Sequence, residues 1–241
     1  MGFLEYSDIS FRAFSSSTKK QDIIQRKSSI LDEVYRHHRM APQSILFVGF
    51  NPALFGCTVP NIYTTEVDDE ALAYIKSQQS QVQFVGIDEL FNYEKHFDVI
   101  VALEEFFTFT DSENNQKVQF EMICRAAKKL VITTLRDYKN QEFKDREFSI
   151  PAVIKTDDTT NVYLEYHDYD VTDRNAWCRV VYEVAGKTLV YNGPFECRNM
   201  YFKQCAKFGY DMGAKEFLIH KNIMYKSLIK KNYEHVISIL F

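Results

Sequence analysis

Acidic residues follow three separate apolar runs of this sequence at the point where each run ends. Glu66 follows NIYTT, Asp88 follows VQFVGI, and Glu104 follows FDVIVAL. A carboxylate can accept hydrogen bonds from both hydroxyls of a ribose or from the amino group of a base. An apolar wall beside such acids would hold a flat ring. The spacing therefore predicts a site for an adenosyl group, provided that the three runs end side by side.

A glycine lies near the end of an earlier apolar run, SILFVGF. Gly49 would let a ligand approach the backbone closely. Asn51 tolerates unusual backbone angles, and Pro52 is suited to the first position of a helical turn. We therefore expect a ligand-facing loop at 49–56.

The elements that must position these residues are short apolar runs separated by helix-sized segments. A fifth run, KLVITTL, lies at 129–135, and the segments DDEALAYIKSQQ and NQKVQFEMICRAAKK carry apolar residues at intervals of three and four. Nearly continuous apolar strands alternating with helices indicate a parallel sheet that is covered on both faces. Ligands bind such sheets at the carboxyl ends of the strands, near the switch in strand order. The three acids are therefore expected at one edge.

The flanking regions differ in pattern from this core. A capping box in TKKQ at 18–21 predicts a helix that ends near His37 and His38, whose charges complement the helix dipole. Alternating Val and Tyr residues predict antiparallel strands before residue 194. A helix is then predicted from Pro194 to Gly209, and KEFLIH and YEHVISILF are predicted to be two closing strands. The predicted parts are an N-terminal helical extension (1–43), a core (44–142 and 195–241) and a β-rich insertion (143–194).

Composition limits the classes of protein that this chain can represent. Its 241 residues, 46% hydrophobic and 26% charged, suffice for one α/β domain with an insertion. A net charge of −4 and a pI near 5.9 give no strong nucleic-acid signal. Five cysteines without a C-x-x-C pair indicate free thiols in a reducing compartment. With no signal-like amino terminus and no apolar run of about 18 residues, we expect a cytoplasmic protein without a membrane partner.

The succession FVGFN, TTEVDDEALAYI, VQFVGIDEL, FDVIVALEEFF and KKLVITTL resembles the class I S-adenosylmethionine-dependent methyltransferases across residues 44–135. The second motif is the most specific, because in the family an acid ends strand two and a helix opens shortly after it. Glu66 takes the place of that acid, and Asp68 caps the helix toward Leu72. The resemblance implies a doubly wound, Rossmann-like, mostly parallel α/β sheet with an antiparallel closing edge. It also implies S-adenosylmethionine as the cofactor.

The resemblance also implies roles for particular residues. Asp88 corresponds to the acid that contacts adenine, and Glu104 to the start of the motif near the sulfonium and the substrate. The cofactor-binding residues implied are Gly49, Phe50, Asn51, Glu66, Val67, Asp88, Glu89, Leu103 and Glu104. Candidate catalytic bases are Glu104, Glu105 and His167. The chain departs from the family's E/D-x-G-x-G loop, because Phe47 replaces the leading acid and Gly49 is followed by Asn51 and Pro52.

The β-rich insertion is a candidate lid over the methyl acceptor, a small molecule or a single base. The residues that could stack on a planar acceptor are Tyr163, Tyr166, His167, Tyr169 and Trp177. His167 or Asp168 could accept a proton, although such residues also occur at the solvated ends of ordinary strands. Together with Asp170 they could also hold a metal, but methyl transfer from a sulfonium needs none, and we predict no metal site.

Three hypotheses about function follow. The first is a methyltransferase with an unknown acceptor. The second is a non-catalytic binding or scaffold protein of the same fold that has lost its cofactor, which the glycine-poor loop favours. The third, a nucleotide-dependent oxidoreductase, is disfavoured by the two closing strands and by the absence of G-x-G-x-x-G.

Overall fold

A computed structural model describes residues 3–65, 68–110, 112–137, 146–148, 152–155, 159–168, 174–183, 189–226 and 233–241. The predictions for Glu66, Val67, Tyr169 and Asp170 lie outside the described residues. For the strands between residues 146 and 197, the backbone is described.

The described chain contains five α-helices and twelve strands. The helices are α1 (Phe3–Ser15), α2 (Lys20–His37), α3 (Asp69–Gln78), α4 (Glu113–Ala126) and α5 (Phe202–Asp211). The strands of the larger sheet are β1 (Ser44–Phe47), β2 (Asn61–Thr64), β3 (Gln83–Phe84), β4 (Phe97–Ala102), β5 (Ala127–Leu135), β11 (Glu216–Lys226) and β12 (Tyr233–Leu240). Those of the smaller sheet are β6 (Arg146–Phe148), β7 (Ala152–Lys155), β8 (Thr159–Asp168), β9 (Arg174–Glu183) and β10 (Leu189–Arg198).

The larger sheet has the strand order β11-β12-β5-β4-β1-β2-β3. Strands β1 to β5 pair in parallel, whereas β12 is antiparallel to both β5 and β11. The order runs one way from β1 through β2 and β3, and the other way through β4 and β5, so the switch point lies between β1 and β4. The prediction of a mostly parallel sheet with an antiparallel closing edge is confirmed.

Helices cover both faces of the larger sheet, which explains why the central strands are continuously apolar. Every residue of β4 is buried. Val99 and Val101 pack in one core cluster with residues of α1, α2 and α3, whereas Ile100 packs in the other with residues of α4 and α5. Because alternate side chains of a strand point to opposite faces, a strand between two helical layers needs apolar residues at every position.

The smaller sheet is antiparallel, in the order β10-β9-β8-β6 with β7 also paired to β8. The predicted antiparallel strands are confirmed, but the predicted helix from Pro194 to Gly209 is wrong at its start. Pro194 lies inside β10, where the pairing with β9 shifts register between Asn192 and Phe195. A proline is tolerated at such an irregularity because no ladder hydrogen bond is required of it. The helix begins instead at Phe202.

The amino-terminal helices differ from the prediction in detail. Helix α2 forms where its apolar spacing predicts, but the capping box at 18–21 is wrong, because Lys19 is the N-cap and makes no side-chain cap hydrogen bond. Helix α1 precedes it and was not predicted. None of the described helices has the length and apolar character needed to cross a membrane.

Candidate functional site

Hydrogen bonds within the protein hold the loop after β1 in place. Gly49 has a φ of 71°, and its N–H donates to Thr65 Oγ1 at 2.9 Å. The Phe50 N–H donates to Ser7 Oγ of α1 at 2.5 Å. The Asn51 side chain accepts from the Ala53 N–H at 2.9 Å and caps a 3-10 helix over Pro52–Gly56. The helical turn predicted at Pro52 is therefore present.

Bulky side chains of this loop pack into the core. Phe50 is 4% exposed, and its ring lies 5.3 Å from that of Phe11 and 5.4 Å from that of Phe14, measured between centroids. Phe55 stacks on Phe14 at 5.6 Å, and Leu54 is 1% exposed. Helix α1 thus covers the loop, and its phenylalanine rings pack against Phe50 and Phe55.

Glu104 and Glu105 lie just beyond Leu103, which follows β4 at the switch point, and their φ angles are 59° and 56°. Left-handed backbone costs a non-glycine residue about 1–3 kcal/mol and persists where surrounding contacts hold it. Both side chains are buried. The Glu105 N–H donates to Thr134 Oγ1 at 3.1 Å, and Glu105 Oε2 lies 2.8 Å from Arg136 Nε at the end of β5. An ion pair between two fully buried side chains therefore fixes Glu105.

Glu104 is held by a second cation, which comes from α2. The Tyr225 hydroxyl of β11 donates to Glu104 Oε1, and Lys27 Nζ lies 3.7 Å from the same oxygen. Lys27 Nζ also lies 3.3 Å from the centroid of the Tyr225 ring and donates to the Lys226 carbonyl. The contact over the ring has cation–π geometry. Side chains from α2, β11 and the end of β4 therefore meet at one buried point.

The burial of this group changes its titration. Desolvation lowers the pKa of Lys27 to about 8, and Glu104 and Glu234 oppose that change. Burial also raises the pKa of Tyr225 well above its usual value, with a further contribution from Glu104, while a hydrogen bond from the Asn51 side chain opposes it. Buried lysines with lowered pKa values occur at functional sites more often than elsewhere.

The acids predicted after β3 lie in a 3-10 helix over Ile87–Asn92. Asp88 is exposed, and Glu89 is exposed with its carboxylate accepting from the Gly86 N–H at 3.2 Å. Leu103, between β4 and Glu104, is 2% exposed. The loop after β1, the end of β3 and the end of β4 thus occupy the same edge of the sheet, as the parallel pairing requires.

His167 belongs to β8 in the smaller sheet, opposite Glu147 of β6 and Asn175 of β9 in the register. Its side chain lies outside the described part of the structure, as do those of Tyr163, Tyr166, Asp168 and Trp177. The predicted role of this group is therefore still a prediction.

Three residues of the site were not predicted: Lys27, Arg136 and Tyr225. For Lys27 a signal exists, because it lies three residues after Ile24 and four before Leu31, on the apolar stripe of α2. A charged residue on such a stripe requires a buried partner. Nothing near Arg136 or Tyr225 in the sequence distinguishes them.

His37 and His38 end α2 as predicted, and they meet His220 of β11. The His38 and His220 Nε2 atoms lie 2.8 Å and 2.9 Å from Ser238 Oγ. Burial lowers the pKa of His220 to about 4, and the two neighbouring histidines add to that effect. Among the side chains that the structure describes, no group of three or more His, Cys, Asp or Glu residues could hold a metal ion.

A cavity of about 450 Å³ lies away from this site, between α2 and the segment 53–60. Gln43 and Pro60, which line it, directly precede β1 and β2, so the cavity opens near the amino ends of these strands. Ala53 and Gly56 of the loop after β1 also line it, whereas none of the described cofactor-binding candidates does.

The sequence matches neither a known family profile nor any curated protein. Solved structures do match the fold. The sugar N-methyltransferase KedS8 from Streptoalloteichus sp is 11% identical, with a TM-score of 0.65 over 90% of this chain and 87% of that one. The CcbJ methyltransferase from Streptomyces caelestis is 11% identical, with a TM-score of 0.61 over 90% and 94%. The amino pentose methyltransferase CalS10 from Micromonospora echinaspora, solved with S-adenosylmethionine bound, is 12% identical, with a TM-score of 0.60 over 88% and 91%. The strand order and these likenesses show that the chain has the fold of the class I S-adenosylmethionine-dependent methyltransferases.

Proposed function

We propose that this protein is an S-adenosylmethionine-dependent methyltransferase whose acceptor is a small molecule or a single base. The observation that carries the proposal is the pair Glu104–Glu105, held in left-handed backbone at the switch point beside the loop after β1. Ligands of doubly wound sheets bind at this position, and strained residues are concentrated at functional sites. The fold shared with three methyltransferases supports the same assignment.

In this proposal the cofactor lies across the carboxyl ends of β1 to β4. Glu66 accepts hydrogen bonds from the ribose hydroxyls, and Asp88, which is exposed, accepts one from the adenine amino group. Val67, Glu89 and Leu103 border the ring. The loop residues Gly49, Phe50 and Asn51 face the methionine part together with Glu104. In this proposal α1 moves when the cofactor binds, since α1 covers the loop and its Ser7 hydroxyl accepts from the Phe50 N–H.

The bound cofactor would supply a methyl group on a sulfonium, and the residues of this chain would position the acceptor in line with it. A protonated acceptor must also lose a proton, for which Glu104, Glu105 and His167 are the candidates. Arg136 contacts one carboxylate oxygen of Glu105, while Glu104 contacts a hydroxyl and an ammonium group. We assign Glu104 to the sulfonium side of the site. We assign Glu105, and His167 of the proposed lid, to the acceptor side.

Calorimetric titration with S-adenosylmethionine, S-adenosylhomocysteine and NAD tests the proposal. We expect the two adenosyl ligands to bind and NAD not to bind. Glu66→Ala and Asp88→Ala should each weaken binding about tenfold or more, since one charged hydrogen bond contributes about 1.5–3 kcal/mol. Glu121→Ala removes an exposed carboxylate from α4 and should leave the affinity unchanged.

Other outcomes of that titration identify the alternatives. If neither adenosyl ligand binds, the methyltransferase proposal is wrong, and a binding or scaffold protein of this fold takes its place. Preferential binding of NAD would indicate an oxidoreductase.

The division into an extension, a core and a lid, and a location in the cytoplasm, belong to the same proposal. The cysteines whose side chains are described, Cys57, Cys124 and Cys205, are free thiols, which supports the proposed reducing compartment.

A further inference from the structure

Lys27 places a cation inside the proposed cofactor site, and nothing in methyl transfer as proposed above requires it. Its side chain reaches from α2 to Glu104 and the face of Tyr225, and the residue is 5% exposed. The other charged groups that act on it are Glu234 on β12 and Arg26 on its own helix. A lysine buried this completely loses its hydration, and the carboxylate and the aromatic ring replace part of that loss.

The same two groups would attract the cofactor. A sulfonium is a fixed positive charge, and an adjacent carboxylate and aromatic face stabilise such a cation. In S-adenosylhomocysteine, the product of methyl transfer, the sulfur is a neutral thioether. The cofactor therefore brings a second positive charge toward Glu104, whereas the product does not.

We propose that Lys27 is a positioning residue that sets the preference of this site between the sulfonium cofactor and its neutral thioether product. The inference rests on the proposed function. Protonated Lys27 disfavours the cofactor relative to the product, and neutral Lys27 removes that bias. Binding of the cofactor therefore releases the Lys27 proton to solvent, and binding of the product does not.

The size of the effect follows from the titration of Lys27. With a pKa of about 8, about one Lys27 in eleven is neutral at pH 7 and about ten in eleven at pH 9, so an affinity that requires the neutral form rises about tenfold. The ratio of the dissociation constant of S-adenosylmethionine to that of S-adenosylhomocysteine should fall by this factor between pH 7 and pH 9.

The test measures this ratio by calorimetry on the full chain at pH 7, 8 and 9, in two buffers that differ in ionisation enthalpy. The buffer dependence of the binding enthalpy counts the protons released. Lys27→Met should give a low ratio, and the pH dependence that Lys27 causes in the wild type should be absent. Lys27→Arg keeps the charge at every pH and should give a high ratio. The amino groups of the ligands titrate in every variant, so comparison with wild type removes their contribution.

Arg36→Met is the matched control, because it removes an exposed charge from the same helix at a position that is not among those acting on Lys27. It should behave like wild type. Equal pH dependence of the ratio in wild type, Lys27→Met and Lys27→Arg would overturn the inference while leaving the methyltransferase proposal intact. If neither adenosyl ligand binds wild type at any pH, the proposed function fails, and the inference fails with it. If Lys27→Met does not fold, the comparison of Lys27→Arg with wild type decides the question.

Discussion

The titration of Lys27 should be visible in the stability of the protein without any ligand. Burial lowers its pKa from 10.5 to about 8, and at 1.36 kcal/mol for each pKa unit this difference corresponds to about 3 kcal/mol. Between pH 8 and pH 10.5 the unfolded chain holds a proton on Lys27 that the folded protein has released. Stability rises with pH wherever the unfolded state binds more protons. Lys27 therefore destabilises the fold fully below pH 8, and the penalty disappears by about pH 10.5.

The perturbation that isolates this contribution is Lys27→Met, which keeps an unbranched side chain and removes the titrating group. Urea unfolding of both proteins at pH 7, 8, 9 and 10 gives their free energies of unfolding. We expect the wild-type value to rise relative to the variant by about 2 kcal/mol between pH 8 and pH 10. Groups that titrate in both proteins, such as the buried Cys124 and Cys205 with raised pKa values, cancel in the difference. The same pair of measurements in a Tyr225→Phe background removes any change in the titration of Tyr225.

Parallel stability curves for wild type and Lys27→Met over this range would refute the reasoning. They would mean that Glu104 and Glu234 compensate the desolvation of the ammonium group completely, so that folded and unfolded chains bind its proton equally. The absolute stability of the variant at pH 7 does not decide the matter, because Lys27→Met also deprives the buried Glu104 of a cationic neighbour.

Three further substitutions test the packing and charges around the site. Arg136→Met should cost about 3–5 kcal/mol in urea unfolding because it leaves the Glu105 carboxylate buried without this cation; the double variant with Glu105→Gln should lose less than the sum of the single losses, and simple additivity would contradict the coupling. Gly56→Ala should cost about 1–3 kcal/mol, since its Cβ would lie 2.1 Å from Ser28 Oγ; Ser28→Ala should recover part of the loss, and an unchanged melting temperature for Gly56→Ala alone would count against the contact. His220 has a pKa lowered to about 4 by burial, so stability should fall as the pH drops from 6.5 to 4, where the unfolded chain binds the proton first; His220→Asn should flatten this acid limb, and identical limbs in the two proteins would show that His220 does not cause it.

The strands that were predicted correctly are those whose buried position in the fold requires one particular pattern of apolar residues. FDVIVAL forms β4 because a strand between two helical layers must be apolar throughout. Helix α1 was not predicted because its serines give a polar composition, although Ser7 and Ser10 are buried. The predicted helix start at Pro194 was wrong for a different reason. A proline suits both the first turn of a helix and an irregularity in a strand, and only the pairing with β9 distinguishes the two.

The candidate site was predictable in its location and only partly in its chemistry. Parallel pairing places the carboxyl ends of β1, β3 and β4 at the same edge of the sheet, so the acids that follow the apolar runs identify that edge as the site. The partners of those acids come from distant parts of the chain. Lys27 lies 77 residues before Glu104 in sequence, and Tyr225 lies 121 residues after it. No local pattern encodes such pairings. The glycine-poor loop favoured a protein that has lost its cofactor, but the sequence did not show that α1 covers this loop with Phe11, Phe14 and the Ser7 hydroxyl.

The two left-handed glutamates explain why cations from separate elements converge here. The backbone after β4 turns so that consecutive carboxylates are both buried, which would be costly without compensation. Arg136, which directly follows β5, compensates Glu105. Lys27 contacts Glu104 from α2, which belongs to the helical layer that also covers the loop after β1. The Glu105 pair therefore joins the segments that follow two adjacent strands, whereas the Glu104 pair depends on the position of the amino-terminal helices. A ligand that enters beside Glu104 must act on those helices, so ligand affinity and the seating of α1 and α2 should change together.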